Sequence, residues 1–275
     1  MSTAYDERPV VVGIPDDDVE DALLFAAQEA RRNGCGLWVV HSDHAGRSSW
    51  GEAVLDRAVA RATELAGPGT PVTGRLVAGV PVEAVLAAFP DARAVVLRHR
   101  DVLHLLHTLT SDLAAEIRTP VVCVPQRWEH PDPDPRPVAV GVEHTPEAGP
   151  LVRAAAEQAA VRGVPLRVVH VWSVRNRLDP RLEERVGGEW DSGVRADLEH
   201  AVTASGTTVP VTVEIGHGDA TRTLLDVARE SQLLLLGRNE PRSDVGCRMG
   251  RAGRALLHDS AAPILVLPPP VAVPA

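Results

Sequence analysis

Short apolar runs alternate along the chain with longer segments in which apolar residues, mostly alanine, recur every three or four positions. Apolar runs of four to eight residues predict buried strands, and the longer spacing predicts amphipathic helices. Ten runs have the character of strands: VVVGI, LWVVH, VTGRLV, AVVLR and VVCVP in the first half, then VAVGV, LRVVHV, VTVEI, LLLLG and ILVLP in the second. This alternation predicts an α/β fold with five parallel strands in each half.

The helix after each first strand carries its own start and stop signals. In the first half, Asp17 and Glu20 have the spacing of a capping box, and Gly34 is placed to end the helix. In the second half, Thr145 is expected at the N-cap and Pro146 at the first helical position, where a missing N–H donor does no harm.

The two halves repeat each other. RPVVVGI at Arg8–Ile14 matches RPVAVGV at Arg136–Val142 with an offset of 128 residues, and LWVVH matches LRVVH with an offset of 129. The offset grows to 139 for AVVL against LLLL, which places a longer loop around residues 171–189. It reaches 143 for TPVVCVP against APILVLP, so the second half also carries four extra residues before its last helix. A repeat of this kind predicts two domains of similar fold.

A proline-rich segment separates the repeats. PQRWEHPDPDPRP contains five prolines in thirteen residues, a density that neither a helix nor a central strand tolerates. We therefore predict domains at residues 1–126 and 136–275, joined by a semi-rigid linker at residues 127–135.

Composition narrows the classes of partner. A net charge of -9 argues against nonspecific binding to nucleic acid or to an anionic membrane. Three cysteines without a CxxC motif indicate neither a disulfide framework nor a thiolate zinc site. With no apolar run of about 18 residues and no signal-peptide pattern, the expectation is a cytoplasmic protein. Aromatic residues make up 3% of the chain, so the core is expected to consist of Val, Leu and Ala.

Ligands of an open parallel sheet bind beyond the carboxyl ends of its strands, where the strand order reverses. In each half the candidate loops are those after strands one and four. They are IPDDD with RHRDVLHLLHT in the first half, and VEHTP with GRNEPRSDVGCRMGRAGR in the second.

The order VVVGI, LxVVH, GxP, LLLLG and RALLHDSAAPILVLP, present in two copies, resembles a tandem universal stress protein over nearly the whole chain. The resemblance implies two five-stranded, Rossmann-like domains of the adenine nucleotide alpha hydrolase-like type. It also implies an intramolecular pseudo-dimer paired through the last strands, VVCVP and ILVLP, with a homodimer as the further option. One branch of this family binds ATP through a G-x-x-G, nine residues, G-(S/T) motif after strand four, and an acidic residue after strand one contacts the nucleoside.

The second half keeps part of this motif. Gly237 and Gly250 match the first and third glycines with the family spacing, whereas Glu240 replaces the second glycine and Arg251 the Ser/Thr. The carboxylate of Glu240 would repel a polyphosphate, whereas the planar guanidinium of Arg251 can bind a phosphate with a geometry different from that of a hydroxyl. Glu143 stands at the acidic position. The cofactor contacts implied by the resemblance are Glu143, Val171, Gly237, Arg238, Gly250 and Arg251.

The first half departs further from the motif. Arg98 replaces the first glycine, and the loop is four residues too short. Thr108 falls on the Ser/Thr position and His107 on the third glycine, while Pro15 occupies the acidic position with Asp16 beside it. Neither half therefore carries the complete motif.

Several arginine, histidine and cysteine residues allow both a chemical and a structural interpretation. The loop arginines could form an anion site or a solvated loop; they are Arg238, Arg242, Arg248, Arg251 and Arg254. A metal site would use His99, Asp101, His104 and His107, which crowd a single loop. His41 and His170 end equivalent strands and are interpreted as structural, Cys123 as a core residue and Cys247 as a candidate redox thiol.

No catalytic motif such as GxSxG, HExxH or GxxxxGK[ST] occurs in the sequence. The sequence therefore predicts a non-enzymatic tandem universal stress protein that acts in stress adaptation through an unidentified protein partner or a small anionic effector. ATP is a conceivable cofactor whose binding is weak or lost. The alternative is a nucleotide- or anion-binding module that uses the second domain.

Overall fold

A computed structural model describes residues 6–15, 19–43, 49–79, 81–99, 101, 118–128, 132–172, 180–238 and 251–268. The strands are β1 (Asp6–Ile14), β2 (Cys35–Asp43), β3 (Val72–Ala78), β4 (Ala94–Arg98), β5 (Val121–Val124), β6 (Val138–Val142), β7 (Leu166–Trp172), β8 (Val211–His217), β9 (Leu233–Gly237) and β10 (Ile264–Leu267). The helices are α1 (Glu20–Asn33), α2 (Ser49–Ala66), α3 (Pro81–Ala88), α4 (Gly149–Arg162), α5 (Pro180–Ser205), α6 (Ala220–Arg229) and α7 (Arg251–Asp259). All ten predicted strands are present.

The strand order is β3-β2-β1-β4-β5-β10-β9-β6-β7-β8. The α/β class and the five strands of each half are confirmed, and every pair whose register is described is parallel. The prediction of two separate sheets is corrected, because the ten strands belong to one sheet. Unpaired strand edges invite further pairing, and in this order only β3 and β8 are outermost.

The chain divides into two compact units. Unit 1 comprises residues 1–132, 238–248 and 265–269, and unit 2 comprises residues 133–237, 249–264 and 270–275. Each unit has a central strand: β1 pairs with β2 and β4 in unit 1, and β6 pairs with β7 and β9 in unit 2. The domain boundaries read from the sequence stay a prediction.

Backbone hydrogen bonds outside the strands reproduce the internal repeat. The N–H of Arg93 donates to the Pro9 carbonyl at 2.9 Å, and the N–H of Gln232 donates to the Pro137 carbonyl at 3.0 Å. Gly79 and Gly218, which precede equivalent helices, have φ angles of +124° and +128°. Only glycine adopts such angles without strain, so both halves require glycine at this turn.

Both predicted helix starts are corrected by the structure. Helix α1 begins at Glu20 with Val19 at the N-cap and no side-chain cap, and Asp17 lies outside the described residues. Thr145 opens a short 3-10 turn, Thr145–Glu147, and α4 begins at Gly149. A helix continuous from Thr145 would place Pro150 in its interior, where the ring clashes with the preceding turn, so the helix starts again with Pro150 in its first turn. The predicted stop at Gly34 is confirmed by its left-handed conformation.

The core consists of Val, Leu and Ala, as the composition predicts. Central strands are buried along their length: Val10 to Val12 are at most 1% exposed, and Leu233 to Leu235 likewise. The outermost strand β3 is exposed or half-buried throughout. The longer second half is partly explained by α5, which has 26 residues where α2 has 18. Residues 173–179 lie outside the described part of the chain.

Two parts of the predicted linker, at Trp128 and at Asp132, are bound to α1. Trp128 is 6% exposed and packs edge-on against Phe25, with ring centroids 5.3 Å apart. Asp132 accepts a hydrogen bond from Arg32 at 2.7 Å and forms a second ion pair with Arg31. These contacts make Trp128 and Asp132 part of unit 1.

The Asp132 ion pairs predict a pH dependence of stability. Burial raises the pKa of this carboxyl, but the hydrogen bonds and charges of Arg32 and Arg31 outweigh burial and hold the pKa below its usual 3.8. A carboxyl whose pKa is lowered by folding stabilises the protein above its unfolded pKa, and this contribution is lost as pH falls through the folded value. We expect Asp132→Asn to cost about 1 kcal/mol of unfolding free energy near neutral pH.

The measurement is urea denaturation of both proteins over a range of pH. The difference between wild type and variant should stay constant from about pH 7 to pH 5 and shrink below about pH 4, as the wild-type carboxylate becomes protonated. A difference that persists undiminished at the acid end would contradict the assignment.

Candidate functional site

In unit 1, a narrow cleft opens at the carboxyl ends of β1 and β4, where the strand order reverses. Its lining combines the end of β1, the end of β2, helix α3, strand β4 and the residues after it: Gly13, Ile14, Pro15, Ser42, Val82, Val85, Leu97 and Asp101. Gly13 is needed here because a Cβ atom would lie 2.8 Å from Cδ2 of Leu97. The cleft thus lies where the topology predicts a ligand.

The cleft is small and mostly apolar. Its volume is about 20 Å³, which is room for about one water molecule. Of its two polar side chains, Ser42 donates its hydroxyl proton to the carbonyl of Gly79 at 2.7 Å. The other, Asp101, accepts a hydrogen bond from Nε of Arg98 at 3.2 Å, and both side chains are mostly buried. The cleft therefore contains the Asp101 carboxylate, which is already hydrogen-bonded to the Arg98 guanidinium.

In unit 2, the equivalent reversal lies between β6 and β9. Gly141 fills the role of Gly13, since a Cβ atom would lie 3.1 Å from Leu236 and 3.2 Å from Leu224. Glu143 directly follows β6 and is exposed, and Val171 lies near the end of β7 and is half-buried. Because β7, β6 and β9 are neighbours in register, Glu143, Val171 and Gly237 lie at one end of the sheet.

The remaining predicted contacts follow β9. Gly237 is exposed and ends the strand, and a Cβ atom there would make only an ordinary contact with Leu151, at 3.5 Å. The backbone N–H of Arg238 donates to the Leu267 carbonyl at 3.1 Å, which continues the ladder. Gly250, Glu240 and the side chain of Arg251 lie outside the described residues, although Arg251 opens α7.

A buried histidine stands beside each strand reversal and makes the same contact in both units. Nδ1 of His41 is 2.9 Å from the Ile14 carbonyl, and Nδ1 of His170 is 2.9 Å from the Val142 carbonyl. Nδ1 therefore carries the proton and donates to the last carbonyl of the central strand. Within the described residues, Nε2 of each ring has no hydrogen-bond partner. These hydrogen bonds support the interpretation of His41 and His170 as structural residues, which stays a prediction.

Two polar pairs near the end of β7 could not be inferred from the sequence. The Thr145 hydroxyl donates to Asp197 at 2.9 Å, and the Trp172 indole N–H donates to Asp191 at 2.7 Å. The Trp172 ring also lies 4.4 Å from the ring of His217. Both aspartates belong to α5, whose lengthening relative to α2 is the only sequence signal that distinguishes this region.

The metal and redox alternatives gain no support from the described part of the chain. It contains no cluster of three or more metal-ligating side chains, and Asp101 is paired with Arg98. His104, His107 and Cys247 lie outside that part. Burial, with a smaller contribution from the charge of Asp101, raises the pKa of the Cys123 thiol to about 12, as expected for a core cysteine. Among the helices described, none combines the length and apolar character needed to cross a membrane.

The structure contains two copies of a five-stranded α/β arrangement. In each copy the strand order reverses at the central strand, as it does at the ligand-binding edge of Rossmann-like folds. The protein is therefore a tandem Rossmann-like protein. Residues 135–268 match the model of the universal stress protein family. A universal stress protein of Mycobacterium tuberculosis is 26% identical over 296 residues, covering 97% of this chain and 99% of its own length. A second one from that organism is 24% identical and covers 97% of this chain and 98% of its own length.

Solved structures show the same fold. A universal stress protein from Archaeoglobus fulgidus has a TM-score of 0.59 at 15% identity, covering 96% of this chain and 99% of that one. A Pseudomonas aeruginosa PAO1 protein of unknown function has a TM-score of 0.66 at 14% identity, covering 96% and 93%. The chain is similar to universal stress proteins along its whole length: the family model matches its second half, and the relatives align across both halves.

Proposed function

We propose that this protein acts in stress adaptation without catalysing a reaction, and that its binding of ATP is weak or lost. The observation that carries this proposal is the cleft of unit 1. Its described lining is mainly apolar, and its two polar side chains, Ser42 and Asp101, are already hydrogen-bonded within the protein. Asp101 adds a negative charge where a nucleotide would bring phosphates.

In unit 2, the backbone after β9 and the residues at the motif positions support the same proposal. A phosphate-binding turn works by directing free backbone N–H groups at the anion. The N–H of Arg238, the first after Gly237, is instead hydrogen-bonded to Leu267. The sequence places Glu240 and Arg251 at the positions of a motif glycine and a motif hydroxyl. In this proposal the second half has therefore lost part of the chemistry that a nucleotide site needs.

The proposal is tested by denaturing freshly purified protein and identifying released nucleotide by mass spectrometry. We expect far less than one nucleotide per chain, because neither half of the sequence carries the complete phosphate-binding motif. Isothermal titration with Mg-ATP should give a Kd no tighter than about 1 mM, and incubation with Mg-ATP should release no phosphate above background. Stoichiometric ATP in the purified protein, or a micromolar Kd, would overturn the loss of binding.

The second candidate is a nucleotide- or anion-binding module in unit 2, favoured by the position of Arg251 in the first turn of α7. A helix N-terminus and a guanidinium both attract phosphate. If this candidate is correct, Arg251→Ala abolishes binding of inorganic phosphate or ATP. Arg229→Ala, an exposed arginine in the last turn of α6, is the matched control and leaves binding intact.

The proposal also covers the assembly, location and partners of the protein. The two halves would act as an intramolecular pseudo-dimer in the cytoplasm, with an unidentified protein partner or a small anionic effector and without nucleic acid or membrane binding. The net charge of -9 supports the last point, since an acidic protein is repelled by both kinds of anionic surface.

A further inference from the structure

Strand β3 forms one outer edge of the sheet, and half of its backbone groups point away from β2. The N–H of Leu37 donates to the Pro71 carbonyl at 2.8 Å, and the parallel register places Leu37 opposite Val72. Because the backbone groups of a strand alternate between its two sides, those of Val72, Gly74 and Leu76 point outward. Within the described part of the chain, these outward groups have no hydrogen-bond partner.

The outermost strand of unit 2 has the same geometry, but an arginine covers its edge. Val213 of β8 is the repeat equivalent of Gly74, at the offset of 139 residues. Its carbonyl also points outward and accepts a hydrogen bond from Arg195 of α5 at 3.4 Å. The equivalent of Arg195 in α2 is Asp56, whose carboxylate has no proton to donate. The repeat thus has a protected edge at β8 and no such protection at β3.

Other features that commonly protect a strand edge are also absent from β3. The strand contains neither proline nor lysine, and its pairing with β2 runs without a bulge from Val72 to Ala78. Its one charged side chain, Arg75, lies over the ring of Phe89, with the guanidinium carbon 5.1 Å from the ring centroid. The charge of Arg75 is therefore held on one face of the sheet, beside α3, and not across the edge.

We infer that β3 is a dimer interface, at which it pairs in antiparallel orientation with β3 of a second copy of this chain. A two-fold axis at Gly74 places this residue opposite its own copy and Val72 opposite Leu76. Each of these three pairs uses outward backbone groups and exchanges two hydrogen bonds. Such an interface is isologous and closes at two copies. The inference goes beyond the proposed function and does not depend on whether either unit binds a nucleotide.

The charge of Arg75 favours this register over its neighbours. With the axis at Gly74, Arg75 of one copy lies opposite Thr73 of the other. An axis at Arg75 places the two arginines directly opposite each other, which is destabilising. An axis at Leu76 places the guanidinium opposite the apolar side chain of Val77. The register centred on Gly74 is the one of these three that gives Arg75 an uncharged polar neighbour.

The position of α2 leaves room for the second copy. Helix α2 packs against both β2 and β3, and it lies close over Gly74, where a Cβ atom would be 2.8 Å from Cγ2 of Val59. Neighbouring strands are about 4.8 Å apart, so an α2 helix lying between β2 and β3 is about 10 Å from its copy across the axis. That separation is usual for packed helices, so the two copies of α2 extend the interface.

Sedimentation equilibrium of the full chain tests the interface. We expect the wild type to dimerise reversibly in the micromolar range. Thr73→Lys should weaken the dimer about tenfold, because it brings a positive charge opposite Arg75 at two symmetry-related places. Thr73→Glu should instead tighten the dimer about threefold, because it brings a carboxylate to the same places. Thr73 is exposed, so both variants should fold, and circular dichroism checks that they do.

Thr212→Lys is the matched control, since Thr212 is the exposed repeat equivalent of Thr73 on β8. It should dimerise like the wild type. Amide hydrogen exchange gives a second readout: exchange at Gly74 should slow as the wild-type concentration rises, whereas exchange at Arg75, whose N–H faces β2, should not change. A wild type that stays monomeric at several hundred micromolar, assembly beyond dimers, or equal effects of the two lysine substitutions would overturn the interface.

Discussion

Replacing Trp128 with alanine is expected to lower the free energy of unfolding by about 3–5 kcal/mol, the range for deletion of a buried large aromatic side chain. The residue lies in a segment that its prolines mark as a connection between domains. Its side chain is nevertheless 6% exposed and meets Phe25 edge-to-face, a geometry that adds to the stabilisation from burial alone. Urea denaturation followed by far-UV circular dichroism measures the effect.

Trp50→Ala is the matched control for this experiment. Trp50 is 56% exposed, so the same chemical deletion removes much less buried surface, and we expect a cost below about 1 kcal/mol. Similar costs for the two variants would show that Trp128 does not contribute to the core of unit 1.

The sequence predicts the strands well because each strand is a short run of apolar residues, and such a run is by itself a strong signal of a buried strand. Val10 to Val12 and Leu233 to Leu235 lie in central strands that are covered on both faces, so no alternation of polar residues obscures them. The internal repeat adds a second, independent constraint. The structure shows the repeat again at Gly79 and Gly218, which occupy equivalent turns with positive φ.

Helix starts and linker contacts are harder to predict because they depend on residues far apart in sequence. Thr145 has the chemistry of an N-cap, but its hydroxyl donates to Asp197, 52 residues away. The helix itself begins only where Pro150 can occupy its first turn. Asp132 pairs with Arg31 and Arg32, which lie about 100 residues earlier in the chain, and no local pattern encodes that contact.

The position of the candidate site in unit 1 could be predicted from the sequence, but its dimensions and its hydrogen bonds could not. Topology correctly indicates the ends of β1 and β4 as the place for a cleft, because strand order follows from the βαβ repeat. The narrowness of the cleft could not be predicted, since it depends on how Leu97 packs over Gly13 and on the pairing of Asp101 with Arg98. The backbone bond from Arg238 to Leu267 likewise requires the register of β10.

The repeated histidines give the second large expected effect: His41→Ala and His170→Ala should each lower the free energy of unfolding by about 2–4 kcal/mol. Each substitution deletes a buried ring and leaves the carbonyl of Ile14 or Val142 without its donor. These carbonyls end the central strands β1 and β6 beside the two candidate sites, so the loss acts on the sheet at the two places where the candidate ligand loops begin. The variants are compared by urea denaturation.

His200→Ala serves as the control, because His200 is exposed on α5 and its loss should change stability by no more than about 0.5 kcal/mol. The two buried histidines belong to different units and share no partner, so the double variant should lose close to the sum of the single losses. Costs near that of His200→Ala would contradict a structural role. A large cost for only one of the two would show that the repeated hydrogen bond stabilises only one unit.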